Sequence, residues 1–68
     1  MRFSVEVEQE VDGRWIAEVV DFPGAMAYGE SRAQAVANAQ ALALRTIADR
    51  LEHGEDLPDL ANVFAVVA

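Results

Sequence analysis

The sequence predicts an α+β fold with the element order β-β-β-α-β, in which one helix packs on one face of a mostly antiparallel sheet. Residues 3–10 alternate apolar and polar side chains, as a half-buried strand does, and residues 15–20 predict a second strand with Trp15, Ala17 and Val19 on one face. A stretch from 32 to about 52 is rich in Ala, Leu, Arg and Gln, which favour helices. The apolar run 63–67 predicts a last, well-buried strand. Since no repeat or linker divides residues 1–68, we expect a single domain.

The loop between the first two strands sets which residues pair across the hairpin. A two-residue Asp-Gly loop would mix polar and apolar side chains on each face. A three-residue loop with Gly13 in the left-handed conformation pairs Val7 with Ala17 and leaves one face apolar. It also places Glu10 opposite Arg14, and these opposite charges attract. Because a one-residue slip turns a whole strand over, we expect the three-residue loop.

Turn and cap signals separate the next elements. Pro23 followed by Gly24 suits the two central positions of a type II turn, so a short third strand is expected at 25–28. Ser31, with Gln34 three residues later, has the pattern of a capping box and marks the start of the helix.

The helix carries two apolar stripes, for which we expect different roles. The broader stripe should pack on the sheet, and its members are Ala33, Val36, Ala43, Leu44, Ile47 and Leu51. The weaker stripe lies on another side of the helix and comprises Ala35, Ala39, Leu42 and Thr46. Ordinary alanine filling of a helix would explain this weaker stripe, but we expect it to form a contact between subunits.

The length of the chain is the reason to expect such a contact. A chain of 68 residues builds a marginal core, and small domains usually add disulfides, a structural metal or oligomerisation. The sequence has no cysteine and a single histidine, which excludes disulfides and argues against a structural metal. We therefore expect a homo-oligomer, either a dimer or a dimer of dimers.

The charge of the chain restricts its partners. Five arginines and twelve acidic residues give a net charge of −7. Such a surface repels phosphate backbones, so we expect no direct nucleic-acid binding and favour a basic protein as the partner. No apolar run is long enough for a signal peptide or a membrane span, and the lack of cysteine fits a cytoplasmic protein.

No residue pattern points to catalysis. Four glutamates share one predicted sheet face: Glu6, Glu8, Glu10 and Glu18. Converging carboxylates could hold the metal of a nuclease, but alternating glutamates are usual on a solvated strand face. His53 lies at the predicted helix end, where an interaction with the helix dipole explains it better than a metal does. We expect no enzymatic activity, no cofactor and no metal.

Short motifs follow one another after the hairpin. They are Asp21-Phe22-Pro23-Gly24, Tyr28-Gly29-Glu30-Ser31, and Ala35 with Asn38. In this series they resemble the D-x-P-G, G-x-[ST], A-x-x-N pattern of HicB-like antitoxins, over about the first 50 residues and then by element order alone. The resemblance implies a partial ribonuclease-H fold, which agrees with the order above. Many members also carry a C-terminal DNA-binding domain, for which this sequence has no counterpart after the last predicted strand.

The resemblance also implies a function. HicB-like proteins bind and neutralise HicA, a small basic toxin that cleaves messenger RNA, by covering its active site. The acidic strand face, the turn after the second strand and aromatic residues are then expected to contact the toxin. These residues are Glu6, Glu8, Glu18, Asp21, Phe22 and Tyr28. The alternative is an oligomeric domain without a toxin partner, which serves as a structural scaffold.

Overall fold

The described part of the chain forms an antiparallel sheet with one helix lying on one of its faces. The structure is a computed structural model and describes residues 2–57, 60 and 63–67. In chain order the elements are β1 (Val5–Gln9), β2 (Trp15–Val19), β3 (Met26–Gly29) and α1 (Arg32–Glu52). The strand order in the sheet is β1-β2-β3, and both neighbouring pairs are antiparallel. The predicted α+β class and its first four elements are therefore confirmed.

The hairpin between β1 and β2 has the predicted register. Val7 lies opposite Ala17, and the backbone N–H of Glu10 donates to the carbonyl of Arg14 over 2.7 Å. Three residues remain in the loop, and Gly13 closes it with φ of 95°. This positive φ is readily available only to glycine, so the loop residue and the apolar faces select the same register.

A second turn links β2 to β3. The N–H of Ala25 donates to the carbonyl of Phe22 over 2.9 Å, which leaves Pro23 and Gly24 at the two central positions. Gly24 has φ of 93°, as the third residue of a type II turn requires. The Phe22 ring packs edge-on against Phe3, with 4.9 Å between the ring centroids. The turn therefore folds back under the start of the sheet and closes one end of the core.

The ends of α1 carry the expected caps, with one difference. The Ser31 hydroxyl accepts a hydrogen bond from the N–H of Gln34 over 3.1 Å. The Gln34 side chain in turn accepts from the N–H of Glu30 over 2.7 Å, one residue before the partner that a capping box would use. Gly54, with φ of 77°, ends the helix in the left-handed conformation that such C-caps favour.

The helix contacts the sheet through small side chains. Its buried residues are Ala35, Ala39, Ala43 and Ile47, one every four positions. The facing strands and turn bury Ala17, Val19 and Ala25 beneath them. Ala35 and Ala39 are fully buried in the core of their own chain, so the expected subunit contact through these two residues is wrong. Leu42 and Thr46 are partly buried beside them, and the Thr46 hydroxyl donates to the Leu42 carbonyl over 3.0 Å.

The helix is consequently rotated from the orientation that its largest apolar residues predicted. Ala43 and Ile47 face the sheet as expected and Val36 is partly buried, but Ala33, Leu44 and Leu51 are exposed. Alanines on both surfaces allow the backbones to approach closely, and this geometry leaves no room for leucine at the centre of the contact.

Gly29 marks the tightest point of this approach. A Cβ atom built on Gly29 would overlap the backbone nitrogen of Ala35 and would lie 2.8 Å from its Cα atom. Because that obstacle is backbone, no side-chain rotation can relieve the overlap. The glycine at the end of β3 therefore sets the distance at which the helix begins.

The segment 63–67 does not form the predicted last strand. Its residues are exposed and pair with no strand among residues 2–57, 60 and 63–67, in contrast to the well-buried strand that the apolar run predicted. An apolar run is buried only where a partner surface is in reach, and the described part of the chain leaves this segment exposed. The maximal extent of the chain is 53 Å, against about 31 Å for a helix of 21 residues.

Substitution of Gly29 by Ala tests the close approach. We expect Gly29→Ala to lower the free energy of unfolding by about 1 to 2 kcal/mol, since the overlap outweighs the entropy that alanine removes from the unfolded chain. Urea denaturation measures the change. Glu30→Ala, at the exposed neighbouring residue, is the matched control and should stay within about 0.5 kcal/mol of the parent. Equal stability of the two variants would contradict the contact between β3 and α1.

Candidate functional site

The sheet face opposite the helix is the candidate site, and we call it the outer face. The helix covers the other face, so these side chains meet solvent in the described part of the chain. A shallow concavity of about 450 Å³ lies on it. Its lining residues are Glu6, Val7, Glu8, Ile16, Ala17, Glu18 and Met26. The site is thus an open surface suited to another macromolecule rather than an enclosed pocket for a small ligand.

Strand pairing arranges the outer face in two rows. Glu6 lies opposite Glu18, which in turn lies opposite Met26 on β3. In the next row Glu8 lies opposite Ile16, and Ile16 lies opposite Tyr28. The β1 side of the face is therefore acidic, and the β3 side is apolar. The sheet brings together four of the six residues expected to bind a partner: Glu6, Glu8, Glu18 and Tyr28.

The pair formed by Glu6 and Glu18 is electrostatically unfavourable. Like charges directly opposite each other on antiparallel strands destabilise the pair. Among the described residues, no arginine or histidine forms an ion pair with either carboxylate. The isolated chain therefore carries negative charge that a cation from another molecule would stabilise.

Arg14 lies at one end of the outer face. Its Nε donates to the Asp12 carboxylate over 2.8 Å, and the guanidinium carbon lies 4.6 Å from the centre of the Tyr28 ring. The hydrogen bonds that the backbone and side chain of Arg14 donate lower the pKa of the Asp12 carboxyl from its ordinary value of 3.8. The predicted pairing of Arg14 with Glu10 is present in the backbone, whereas the side chain pairs with Asp12 instead.

Two residues expected at the partner surface have structural roles. The Asp21 carboxylate accepts a hydrogen bond from the backbone N–H of Ser4 over 2.8 Å, which holds the turn against the residues that precede β1. Phe22 is buried and packs on Phe3 in the core. Phe22 therefore offers no side chain to a partner, and its expected role as a binding anchor is wrong.

Ile16 and Met26 complete the site, although neither was among the expected partner residues. Both line the outer concavity, and the Met26 side chain is exposed. The predicted register already contains the signal for Ile16, because residues two apart on a strand share a face and Ile16 is two residues from Glu18. Charge marks the glutamates and aromatic character marks Tyr28, but neither signal marks Ile16 or Met26.

No metal-binding arrangement is present among the residues that the structure describes. His53 is the C-cap of α1, and its Nδ1 lies 2.7 Å from the Asp49 carbonyl oxygen, the position expected of a histidine that interacts with a helix end.

Within the same described residues, no helix has the length and apolar character that a membrane span requires.

The contact of Arg14 with Asp12 gives a prediction for titration. In the folded chain we expect the carboxyl of Asp12 to titrate below 3.8, and Arg14→Gln should return its midpoint towards that value. A lowered pKa contributes stability that is present above the unfolded value and is lost as the pH falls through the folded value. Carboxyl NMR titration measures both midpoints. Arg45→Gln, on the exposed helix surface, is the control and should leave the Asp12 midpoint unchanged.

Comparisons with known proteins extend the description of the fold. No family model matches the sequence, and no curated protein is similar enough in sequence to count as a match. Among solved structures, the crystal structure of the N-terminal domain of Burkholderia pseudomallei antitoxin HicB superposes with a TM-score of 0.79. The two sequences are 23% identical, and the superposition covers 91% of this chain and 88% of the other. For the fold, this confirms the resemblance seen in the motifs: the chain is built like the N-terminal domain of that antitoxin.

Proposed function

We propose that this chain is an antitoxin-type protein-binding module that neutralises a small, basic, RNA-cleaving toxin of the HicA kind by covering its active site. In this proposal the chain has no enzymatic activity of its own and acts in the cytoplasm, where the toxin would meet messenger RNA. The outer face carries the proposal, because it holds several carboxylates that have no cationic partner among the described residues, on an open surface of the sheet. The likeness to the antitoxin domain supports the class of partner.

Electrostatics supports the choice of a basic partner. An RNA-cleaving protein must hold phosphates with cationic side chains, so its active site carries positive potential. The same cations would relieve the repulsion between Glu6 and Glu18 and would meet Glu8 in the next row. The acidic half of the outer face therefore competes with RNA for the groups that bind RNA, which is the physical basis for occluding the active site.

The apolar half of the face supports a stable complex rather than a fleeting encounter. Tyr28 and Met26 are each almost half exposed, and Ile16 on β2 lies between Tyr28 and Glu8. Aromatic and methionine side chains are enriched in the cores of protein interfaces, whereas charged groups contribute mostly to the rate of association. We therefore assign steering to the glutamates and the slow dissociation of the complex to Tyr28 and its neighbours.

A triple charge-neutralising variant tests the steering role. We expect Glu6→Gln, Glu8→Gln and Glu18→Gln together to slow association with the toxin by about tenfold at low salt, and the deficit should shrink as salt screens exposed charges. Stopped-flow mixing with a catalytically inactive toxin measures the rate. The matched control neutralises three exposed acids near the helix end, with Glu52→Gln, Glu55→Gln and Asp56→Asn.

The control removes the same net charge at a distance from the outer face. Equal slowing by both triple variants would show that overall charge, and not this face, steers the toxin.

The toxin itself is sought by co-expressing the chain with the product of the adjacent open reading frame. A complex that restores growth supports the proposal, whereas a harmless neighbour that does not co-purify would contradict it and leave the scaffold alternative.

A further inference from the structure

The segment 63–67 is an apolar strand sequence that pairs with no strand in the part of the chain that the structure describes. It reads Val-Phe-Ala-Val-Val, and Phe64 and Val66 are 70% and 98% exposed. Exposed apolar runs of this kind are unfavourable in water and commonly mark a contact with another molecule. Alternating β-branched and aromatic residues also fit a pleated surface. The segment therefore has the composition of a strand that is completed elsewhere.

The start of this segment is fixed to the body of the chain. Leu57 and Leu60 pack against the core, and the N–H of Leu60 donates to the Leu57 carbonyl over 2.9 Å. The N–H of Val63 then donates to the Leu60 carbonyl over 3.0 Å. These contacts anchor the base of the segment to the core, while the apolar side chains beyond it are exposed.

The free edge of β1 offers backbone groups that can pair with a strand. The N–H of Val20 donates to the Ser4 carbonyl, and that of Glu10 to Arg14, so the even-numbered residues of β1 pair with β2. Odd-numbered residues in an antiparallel ladder of this register point their N–H and C=O groups away from the neighbouring strand. In the described part of the chain no strand pairs with that edge.

The opposite edge of the sheet is already occupied by the chain itself. On β3 the outward N–H of Met26 donates to the Gly24 carbonyl over 2.9 Å. The outward carbonyl of Tyr28 accepts a hydrogen bond from the Asn38 side chain over 3.0 Å. The helix also lies close to this strand at Gly29. An added strand would have to displace these contacts on β3, but none of them protects β1.

An apolar groove lies beside the free edge of β1. It has a volume of about 280 Å³ and is lined by Phe3, Val5, Gln40, Ala43, Leu44 and Ile47. Leu44 is 59% exposed there, because the helix packs on the sheet through Ala35, Ala39, Ala43 and Ile47. A strand added to β1 would place alternate side chains over this groove.

We propose that segment 63–67 of one copy pairs with the β1 edge of a second copy and places its apolar side chains in the groove between β1 and α1. Two copies related by a two-fold axis can exchange their segments reciprocally, which closes the assembly as a dimer. The exchange supplies the strand that the sequence predicts and enlarges a core that is marginal in a chain of 68 residues. It does not depend on the proposed antitoxin function.

Single cysteines in this cysteine-free chain test the exchange directly. Glu6→Cys places a thiol at the middle of β1, and Ala65→Cys places one at the middle of the segment. The two variants are mixed, one carrying a mass tag, and treated with a short bismaleimide. We expect a crosslinked product that contains one copy of each. The control is Met26→Cys, which lies in the same row of the sheet as Glu6 but on the other edge, and it should not crosslink to Ala65→Cys.

Each other outcome of this experiment contradicts the proposal. A chain carrying both Glu6→Cys and Ala65→Cys that crosslinks only within itself would show that the segment folds back onto its own edge. Equal crosslinking of Met26→Cys would place the segment on β3 or show that it is unspecific. Absence of any product from the mixture would mean that the segment does not dock on β1.

A substitution in the segment gives an independent readout. Because consecutive strand residues point to opposite faces, Val66→Ser with Val67→Ser removes one groove-facing side chain in either register. We expect the double variant to weaken dimerisation by about tenfold or more in sedimentation equilibrium. Val11→Ser, at an equally exposed valine in the hairpin loop, should leave the dimer unchanged. A monomeric parent chain, or dimerisation that the double variant does not alter, would overturn the exchange.

Discussion

The close contact between the alanine side of the helix and the sheet determines most of this structure. Ala35 and Ala39 are fully buried in the same core cluster as Ala17, and Gly29 permits the close approach of β3 at the start of the helix. Interiors are packed at nearly crystalline density, so a contact made of such small groups is short and intolerant of added atoms. This contact fixes the rotation of the helix about its axis, and the rotation determines which side chains of the helix remain exposed.

Two surfaces remain open among the described residues, and the rotation of the helix accounts for the first of them. On the helix side, the displaced Leu44 lines a groove next to the unpaired edge of β1. On the other side, the sheet is left bare, with Glu6 opposite Glu18 and apolar residues beyond them. In our proposals, the apolar segment 63–67 of a second copy covers the first surface, and a basic protein covers the second. Self-association and partner binding would then use opposite faces of one sheet, so neither would block the other.

The sequence predicts the local structure of this chain well, because the signals are local. Gly13, Gly24 and Ser31 each satisfy a backbone requirement of one turn or cap, and alternation sets the strand register. The face of the helix was harder to predict. Hydrophobicity favoured Leu44, whereas close packing selects Ala39, and the preference for small residues depends on the opposing strand.

Part of the candidate site was also predictable, because it too depends on local signals in the sequence. The acidic residues on β1 and β2 follow from strand alternation, but whether Phe22 faces a partner or the core depends on how its turn folds over Phe3. The segment 63–67 shows what cannot be predicted from one sequence. Its apolar residues indicate that it should be buried, but they do not indicate whether its own sheet or a second copy would provide the strand edge with which it pairs.

Enlargement of one alanine on each side of the helix tests the central packing contact most directly. Ala39→Leu and Ala33→Leu add the same atoms at a buried and an exposed position of α1. The close contact predicts that Ala39→Leu lowers the free energy of unfolding by about 1 to 3 kcal/mol, while Ala33→Leu changes it by less than about 0.5 kcal/mol. Urea denaturation of both variants at the same protein concentration measures the two free energies of unfolding. A stable Ala39→Leu variant together with a destabilised Ala33→Leu variant would contradict the contact and restore the helix orientation that hydrophobicity alone predicted.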